Sequence, residues 1–235
     1  MSSKPLVSVI MNCHNGEKYL KQSVKSVLKQ NYNKWELIFW NNNSNDNSKK
    51  IIQNFRDKRI RYFESKKLIP LYKARNLAIK KARGEFICFL DTDDWWIKTK
   101  LIKQLNIFKK NKKCQFLFSN YFKYNHKFKK KKLAFSNSLP SGNITQKLLL
   151  DYSINILTVM MKRSIFKKSK FNNKYNIIGD FDFFINKSLR MEFYSIQKPL
   201  AYYRLHSKNF SEVKLSLYNE ELDQWFKLNE KKFKK

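Results

Sequence analysis

The fold is decided by the segment Phe86-Ile87-Cys88-Phe89-Leu90-Asp91-Thr92-Asp93-Asp94-Trp95-Trp96. An apolar run typical of a buried strand ends here in three carboxylates. Neighbouring carboxylates repel one another unless a positive charge is held beside them. Hard divalent cations such as Mg²⁺ and Mn²⁺ prefer oxygen ligands and often share them with phosphates. The segment therefore predicts a metal site at a strand end, although a solvated acidic turn or a helix N-cap would use the same residue types.

The acidic segment belongs to a regular alternation of strand-like and helix-like segments. The predicted strands are Val7–Cys13, Leu37–Trp40, Ile60–Phe63, Phe86–Leu90 and Gln115–Asn120. Helical spacing of apolar residues predicts helices over Glu17–Lys29, Asp46–Phe55, Leu71–Ala82 and Lys100–Phe108. This alternation predicts an α/β fold, with a mostly parallel sheet and helices on both of its faces.

Polar residues follow three of the predicted strands. They are the runs 12–15 (Asn-Cys-His-Asn), 41–44 (Asn-Asn-Asn-Ser) and 91–94 (Asp-Thr-Asp-Asp). Sheets of this class bind ligands at the carboxyl ends of their strands, so all three runs are expected on one rim. The chain has 4 glycines and no glycine-rich phosphate loop. A bound diphosphate would therefore be neutralised by a metal ion and by cationic side chains.

The second half of the chain is less regular. Its predicted elements are a helix over Ile144–Asp151, a strand over Ile156–Lys162, a helix over Asp180–Met191 and an amphipathic terminal helix over Leu217–Lys231. The acids at the start of the third element complement the positive end of a helix dipole. No linker, repeat or low-complexity segment divides the chain.

Composition indicates a folded protein. The 235 residues are 42% hydrophobic and 16% aromatic, and no run approaches the roughly 20 apolar residues of a membrane span. The N-terminal residues lack the pattern of a secretory signal peptide. Three cysteines, Cys13, Cys88 and Cys114, lie in apolar segments without metal-ligand spacing, and we expect buried free thiols in a reducing compartment. The expected location is the cytoplasm.

The charge is strongly basic, with 50 Lys and Arg against 18 Asp and Glu. Such a surface suits nucleic acid, anionic lipid or an acidic polymer. The lysines are nevertheless spread over most segments, which is also typical of a general bias in residue usage. The exception is the run Lys123–Lys132, which is either a solvated hairpin or a contact for a membrane surface or polyanion.

Several motifs in fixed order resemble the family 2 glycosyltransferases. They are the opening Val7–Leu20 and Ser26–Gln30, the turn Ser44–Ser48, the central Ala74–Asn76, Gly84–Ile87 and Leu90–Asp94, and the later Gly179–Phe183 and Pro199–His206. The resemblance covers most of residues 5–120 and a second block near 177–210. It implies the GT-A fold and inverting, metal-dependent transfer from a nucleotide-sugar, most simply a UDP-sugar, with Mg²⁺ or Mn²⁺ as cofactor.

The resemblance also implies an organisation for the chain. One GT-A domain would span residues 1–235, with the nucleotide-sugar half at about 5–120 and the acceptor and catalytic-base half at about 121–210. An amphipathic helix over 211–235 would complete it. The expected acceptor is a precursor of a cell-surface glycan, of lipopolysaccharide or capsule type, and it could be lipid-linked. The enzyme would then sit at the inner membrane face, held by lysines and exposed aromatic side chains.

The resemblance also implies roles for individual residues in the matching motifs. Asp91 and Asp93 would form the Asp-x-Asp pair that holds the metal, with Asp91 also near the donor and Asp94 assisting. Asp180 aligns with the catalytic base, and Asp182 is the nearby alternative; both also suit a helix N-terminus. Arg204 and His206 would lie near the diphosphate or metal, and Arg75 would reach the nucleotide. His14 would stack on the base, and Asn42 would accept from a base N–H.

Three departures from the family pattern bear on these roles. Asn41 and Asn42 replace acids that usually follow the second strand, and His14 replaces a tyrosine. Gly179 stands where a glutamate normally precedes the catalytic aspartate. These departures leave open a sugar-nucleotide-binding relative that has lost catalysis, and the basic charge leaves open a nucleic-acid-binding protein. The chain lacks recognised nucleic-acid-binding signatures, and no specific nucleic-acid partner is expected.

Overall fold

A computed structural model describes residues 4–207, 209 and 213–233. The remaining residues, including both ends of the predicted 211–235 segment, lie outside the described part. The first half contains β1 (Val7–Cys13), α1 (Glu17–Leu28), β2 (Trp35–Asn41), α2 (Ser48–Gln53), β3 (Ile60–Glu64), α3 (Leu71–Lys81) and β4 (Phe86–Phe89). It continues with β5 (Trp95–Trp96) and α4 (Lys100–Lys110). Each strand and helix predicted for this half is present, apart from shifts of a few residues at their ends.

The second half contains β6 (Phe116–Asn125), β7 (Lys130–Leu133), α5 (Thr145–Leu150), β8 (Met160–Lys162), α6 (Gly179–Ser188), β9 (Phe193–Leu205) and α7 (Leu215–Phe233). The predicted strand over Ile156–Lys162 is partly wrong, because its first residues form a 3₁₀ turn over Ile156–Thr158 and only Met160–Lys162 pairs as a strand. The long strand β9 was not predicted.

All these strands join one sheet in the order β3-β2-β1-β4-β8-β6-β9-β5, with β7 added to β6. The strands β3, β2, β1 and β4 are parallel, as are β6 and β9. The short strand β8 runs antiparallel between β4 and β6 and thereby joins the two parallel groups. Most paired residues lie in parallel ladders, so the α/β fold class predicted from the sequence is confirmed.

Two hydrophobic cores cover the two faces of the sheet. Alternate residues of β1 point to opposite faces: Val9 packs in the core beneath α1 and α4, while Ile10 packs in the core with α3 and α6. This double burial explains the uninterrupted apolar runs of the central strands. The cysteines are buried and unpaired, as expected.

The helix α7 closes the second core. Trp225 is 0% exposed and packs edge-to-face on Phe181 of α6, with ring centroids 4.9 Å apart. The Glu221 carboxylate accepts from the backbone N–H groups of Ile177 at 2.9 Å and Ile178 at 3.1 Å. These N–H groups precede α6, where no helical partner is available to them. The terminal helix therefore fixes the start of α6. In the described part of the chain, no helix combines the length and apolar character needed to cross a membrane.

Candidate active site

The acidic loop 91–94 lies at the carboxyl edge of the sheet, against the start of α1. Ser23 of α1 places its hydroxyl 2.7 Å from the Thr92 carbonyl oxygen and 2.5 Å from that of Asp94. A Cβ atom on Gly16 would lie 2.8 Å from the Thr92 hydroxyl oxygen, so only glycine permits this approach without a shift. Gly16 directly follows the polar run 12–15, so this run and the acidic loop share one rim, as predicted.

Asp91 is held by Arg75 of α3. The Arg75 Nη2 atom donates to both carboxylate oxygens, at 2.9 and 3.2 Å. Arg75 is 4% exposed, whereas Asp91 is 36% exposed and therefore open to a ligand. Burial alone would lower the pKa of Arg75, but Asp91, Tyr72 and Asp180 raise it, so the guanidinium stays charged. Arg75 fixes the orientation of Asp91 from below.

Asp93 meets His206, which follows β9. The His206 Nε2 atom lies 3.0 Å from Asp93 Oδ2, and the side chains are 12% and 29% exposed, respectively. The imidazole also packs on the Tyr19 ring, with centroids 5.1 Å apart. The structure thus brings together a carboxylate oxygen and an imidazole nitrogen that are 113 residues apart in the sequence.

Asp94 and Arg204 lie beneath the rim. Asp94 is 1% exposed, and its carboxyl accepts the backbone N–H of Arg204 at 2.8 Å. Burial and the neighbouring Asp93 raise the pKa of Asp94 well above its usual range. The Arg204 guanidinium donates to the Asp93 carbonyl at 2.6 Å and stacks on the Tyr19 ring, 4.2 Å from its centroid. These positions favour a supporting role for both residues over the predicted direct contact with metal or donor.

The rim residues suit a divalent cation only in part. Among the described residues, no three His, Cys, Asp or Glu side chains converge closely enough to hold a metal by themselves. Asp93 and His206 supply one oxygen and one nitrogen, and Asp91 adds an exposed carboxylate nearby. Mg²⁺ and Mn²⁺ commonly complete their coordination with substrate phosphates and water. The donor set therefore fits an ion that binds together with a phosphorylated ligand.

Asp180 lies in the first turn of α6 and interacts electrostatically with Arg75, the residue that binds Asp91. Its Oδ1 atom accepts from the Tyr72 hydroxyl at 2.8 Å. Burial raises the pKa of Asp180, while the Arg75 charge and the Tyr72 hydrogen bond oppose that rise. A partly buried carboxylate with a raised pKa is suited to accept a proton. The structure thus joins the predicted base to the acidic loop through two residues of α3.

Asp182 points away from this rim, because residues two apart on a helix project about 200° apart. Its Oδ1 accepts from the Trp225 indole N–H at 2.8 Å and from the Asn186 amide at 2.9 Å. Burial raises the pKa of Asp182. The geometry favours a role in anchoring α7, and Asp180 is the better candidate for the base.

The predicted base-recognition residues divide into one exposed and two occupied side chains. His14 is exposed, and its Nδ1 atom lies 3.1 Å from the Asn42 carbonyl oxygen. The Asn42 amide donates to the Ile69 carbonyl at 2.7 Å and accepts the Ile69 N–H at 3.2 Å. Asn41 donates to the Tyr62 hydroxyl at 3.0 Å. Asn42 is thus occupied in holding the segment before α3, which leaves His14 as the accessible residue of the three.

A family model described as "Glycosyl transferase family 2" matches residues 8–185. The chain belongs to glycosyltransferase family 2. The match includes nearly all of β1, the acidic loop, Arg75 and Asp180, whereas Arg204 and His206 lie beyond its end. The family predicted from the ordered motifs is confirmed.

Relatives of this glycosyltransferase include WfgD from Escherichia coli, a UDP-Glc:alpha-D-GlcNAc-diphosphoundecaprenol beta-1,3-glucosyltransferase. It is 36% identical over 166 residues, which are 71% of this chain and 64% of WfgD, less than two thirds of the relative's length. The fold resembles that of TarS from S. aureus, solved as residues 1–349 with UDP. The TM-score is 0.68 at 21% identity, covering 88% of this chain and 62% of the TarS chain.

A second structural neighbour is PcManGT from Pyrobaculum calidifontis, a mannosyltransferase solved with GDP-Man and Mn²⁺. The TM-score is 0.65 at 13% identity, covering 90% of this chain and 60% of that chain. At these identities the two structures support the shared GT-A fold and nothing finer.

Three side chains around the rim of this glycosyltransferase were not predicted: Tyr19, Tyr72 and His126. Tyr19 packs on His206, and His126 places its Nδ1 atom 3.3 Å from Arg204 Nη1. Tyr72 is three residues before Arg75 on α3 and so shares its helix face. That spacing was the one signal in the sequence that could have pointed to Tyr72.

Proposed function

We propose that this chain is a metal-dependent, inverting glycosyltransferase that moves a sugar from a nucleotide-sugar, most simply a UDP-sugar, to a lipid-linked precursor of a cell-surface glycan. One arrangement carries the proposal: Arg75 binds the exposed Asp91 and interacts electrostatically with the partly buried Asp180, and two residues after Asp91 in the same loop Asp93 pairs with His206. The names of WfgD and of the UDP complex of TarS support the choice of donor and acceptor.

The acidic loop would bind the diphosphate of the donor through a divalent cation. Asp93 and His206 would hold the cation, with Asp91 beside them, and the cation would stabilise the negative charge of the departing diphosphate. Arg75 keeps Asp91 oriented and adds a buried positive charge below the rim. His14, exposed at the end of β1, would contact the nucleotide.

Asp180 would act as the base on the side opposite the leaving group. The acceptor O–H bond breaks, and its proton passes to the Asp180 carboxylate. The freed electron pair forms the new bond to the anomeric carbon, while the old carbon–oxygen bond breaks and its electron pair leaves with the nucleoside diphosphate. Inversion follows because attack and departure occur on opposite faces of the sugar. The raised pKa of Asp180 strengthens its hold on the transferred proton.

A lipid-linked acceptor would lie in a membrane, and the β6–β7 hairpin has the features of a membrane contact. Residues 123–133 contain six lysines and no acid, and β7 is exposed along its length. Lys123 stands directly opposite Lys132, a like-charge pair that costs stability on its own. Phe128 at the turn is 63% exposed. The hairpin also adjoins the rim, since the His126 N–H donates to the Leu205 carbonyl at 3.0 Å. We propose that it contacts an anionic membrane surface.

A transfer assay tests the enzymatic proposal. Purified protein, Mn²⁺ and a synthetic lipid-diphosphate-GlcNAc acceptor are incubated with each of several UDP- and GDP-sugars, and products are identified by mass spectrometry and NMR. We expect one donor to give a product of inverted anomeric configuration, with loss of transfer in Asp180→Asn. A product of retained configuration, or full transfer by Asp180→Asn, would contradict the mechanism. Metal-dependent donor binding without transfer to this acceptor or to water would support the non-catalytic alternative.

A further inference from the structure

Gly179 and Tyr72 fit against each other at the start of α6. Tyr72 is 1% exposed, and its ring lies next to Gly179. A Cβ atom added to Gly179 would lie 2.5–2.7 Å from three carbons of the ring, closer than real side chains approach. The Tyr72 ring thus fills the space that a side chain at position 179, where the family pattern has glutamate, would need. The packing of the Tyr72 ring therefore requires glycine at position 179, which accounts for the absence of the glutamate.

The Tyr72 hydroxyl stands between two acceptors. Its oxygen lies 2.8 Å from Asp180 Oδ1 and 2.5 Å from the Ile177 carbonyl oxygen. A phenol has one proton to donate and retains lone pairs that can accept. It can donate to Asp180 while that carboxylate is ionised. Once Asp180 carries a proton, the hydroxyl can turn to Ile177 and accept from the carboxyl group.

The second acceptor is itself fixed in place. Glu221 of α7 accepts from the backbone N–H groups of Asn176, Ile177 and Ile178, at 2.6, 2.9 and 3.1 Å. This clamp holds the peptide groups on both sides of Ile177, including its carbonyl. Tyr72 is rigid as well, because its ring is buried between α3 and α6 and packs 5.5 Å from the Phe171 ring. The hydroxyl therefore has a defined position relative to Asp180.

We propose that Tyr72 is a positioning residue for the base Asp180, and that Gly179 is present because it gives the Tyr72 ring room to reach it. The inference rests on the proposed function. Tyr72 holds one carboxylate oxygen in place before proton transfer and accommodates either protonation state of Asp180 afterwards. It does not act as a base itself, since burial and the Asp180 charge raise its pKa well above the usual range.

Four groups face Asp180 from the elements packed around it. Arg75 and Tyr72 come from α3, Tyr152 from the segment after α5, and Tyr218 from α7. Of these, Tyr72 and Arg75 lower the pKa of Asp180. Removal of the Tyr72 hydroxyl should raise that pKa further, so that a higher pH is needed to ionise the base. Tyr218 shares these surroundings, and among the described residues its hydroxyl makes no hydrogen bond to Asp180.

The test compares Tyr72→Phe with the matched control Tyr218→Phe. Phenylalanine keeps the ring against Gly179 and removes only the hydroxyl. We expect kcat of Tyr72→Phe to fall roughly 10- to 100-fold, as for loss of a hydrogen bond to a charged group. KM for the donor should stay near the parent value, and the acidic limb of the pH–kcat profile should move to higher pH. Tyr218→Phe should match the parent in both respects.

A second measurement separates this inference from the proposed function. Carboxyl ¹³C NMR, with the Asp180 signal assigned from Asp180→Asn, follows the titration of this group without any turnover. Tyr72→Phe should raise the Asp180 midpoint, and Tyr218→Phe should leave it in place. An unchanged midpoint and profile in Tyr72→Phe would overturn the inference, as would equal losses in both variants. A parent protein that transfers no sugar would overturn the proposed function while the NMR comparison still decides the role of Tyr72.

Discussion

Asp93 and His206 place a carboxylate oxygen and an imidazole nitrogen 3.0 Å apart across 113 residues of chain. The contact depends on both halves of the sheet, because Asp93 follows β4 and His206 follows β9. Asp94 reinforces it by accepting the Arg204 N–H at 2.8 Å, two residues before His206. The acidic loop is therefore bound to the second half of the chain before any ligand arrives, which reduces the ordering required on binding.

The two candidate bases should separate in activity and stability. Asp180→Asn is expected to lower kcat by about 10²- to 10⁴-fold, the usual contribution of a general base. Asp182→Ala should leave kcat within a few-fold of the parent. It should lower the free energy of unfolding by about 1–3 kcal/mol, since the buried Trp225 N–H loses its acceptor. Steady-state kinetics and urea unfolding of both variants check this, and the opposite assignment would show the two effects exchanged.

Gly179 and Tyr72 should be energetically coupled. Gly179→Ala forces a Cβ atom into the Tyr72 ring and should destabilise the protein by about 1–3 kcal/mol. In a Tyr72→Ala background the ring is absent, so the same change should cost much less. Urea unfolding of the two single variants and the double variant gives the interaction energy directly. Additive effects would show that the two residues do not constrain each other.

Lys100 should make stability depend on pH. Its side chain is 0% exposed and donates to Gln104 at 2.6 Å, and burial lowers its pKa to about 8. Between that value and the unfolded pKa near 10.4, the unfolded chain binds a proton that the folded chain has lost, so stability rises with pH. Relative to Lys100→Met, the parent should gain on the order of 3 kcal/mol across this range. The free energy of unfolding of both proteins is measured from pH 7.5 to 10.5. The same pH dependence in the parent and in Lys100→Met would contradict the prediction.

The basic hairpin should govern membrane binding. Replacing Lys127, Lys129 and Lys131 by glutamine is expected to weaken partitioning to phosphatidylglycerol vesicles on the order of 100-fold, at roughly 1 kcal/mol per lysine. The control changes three exposed lysines near the end of α4, Lys109, Lys110 and Lys113, and removes the same charge. Co-sedimentation with anionic and neutral vesicles measures both. Equal losses in the two variants would indicate that net charge alone attracts the protein, and no binding to anionic vesicles would exclude the membrane role.

The first half of the fold was predictable because its signals are local. The strand Val7–Cys13 is apolar along its length, as expected for burial on both faces, and α1 repeats apolar residues at helical spacing. By contrast, β9 mixes charged and apolar residues and contains Pro199, which lacks a ladder donor. Pro199 lies opposite Asn120, where the β6–β9 register shifts. A strand with such an irregular pattern is stabilised by distant pairing and cannot be read from its own sequence.

The acidic residues of the candidate site could be predicted from the sequence, but the contacts of the residues around them could not. The positions of Asp91, Asp93 and Asp180 in ordered motifs identified them as candidates. The inward turn of Asn42 onto Ile69 and the aromatic packing of Arg204 depend on tertiary contacts that no local pattern encodes. The reason for glycine instead of glutamate at position 179 is likewise tertiary, because the Tyr72 ring packs against Gly179.

In the proposed reaction the Asp93–His206 pair holds a cation together with the diphosphate of a nucleotide-sugar. Isothermal titration of UDP into the parent protein, with and without Mn²⁺, tests it most directly. Asp93→Ala is the test variant, and Asp151→Ala removes an exposed acid elsewhere as the control. We predict that Mn²⁺ tightens UDP binding by an order of magnitude or more in the parent and the control, and has no effect in Asp93→Ala. Equal UDP affinity with and without Mn²⁺ in the parent, or an undiminished Mn²⁺ effect in Asp93→Ala, would contradict the claim.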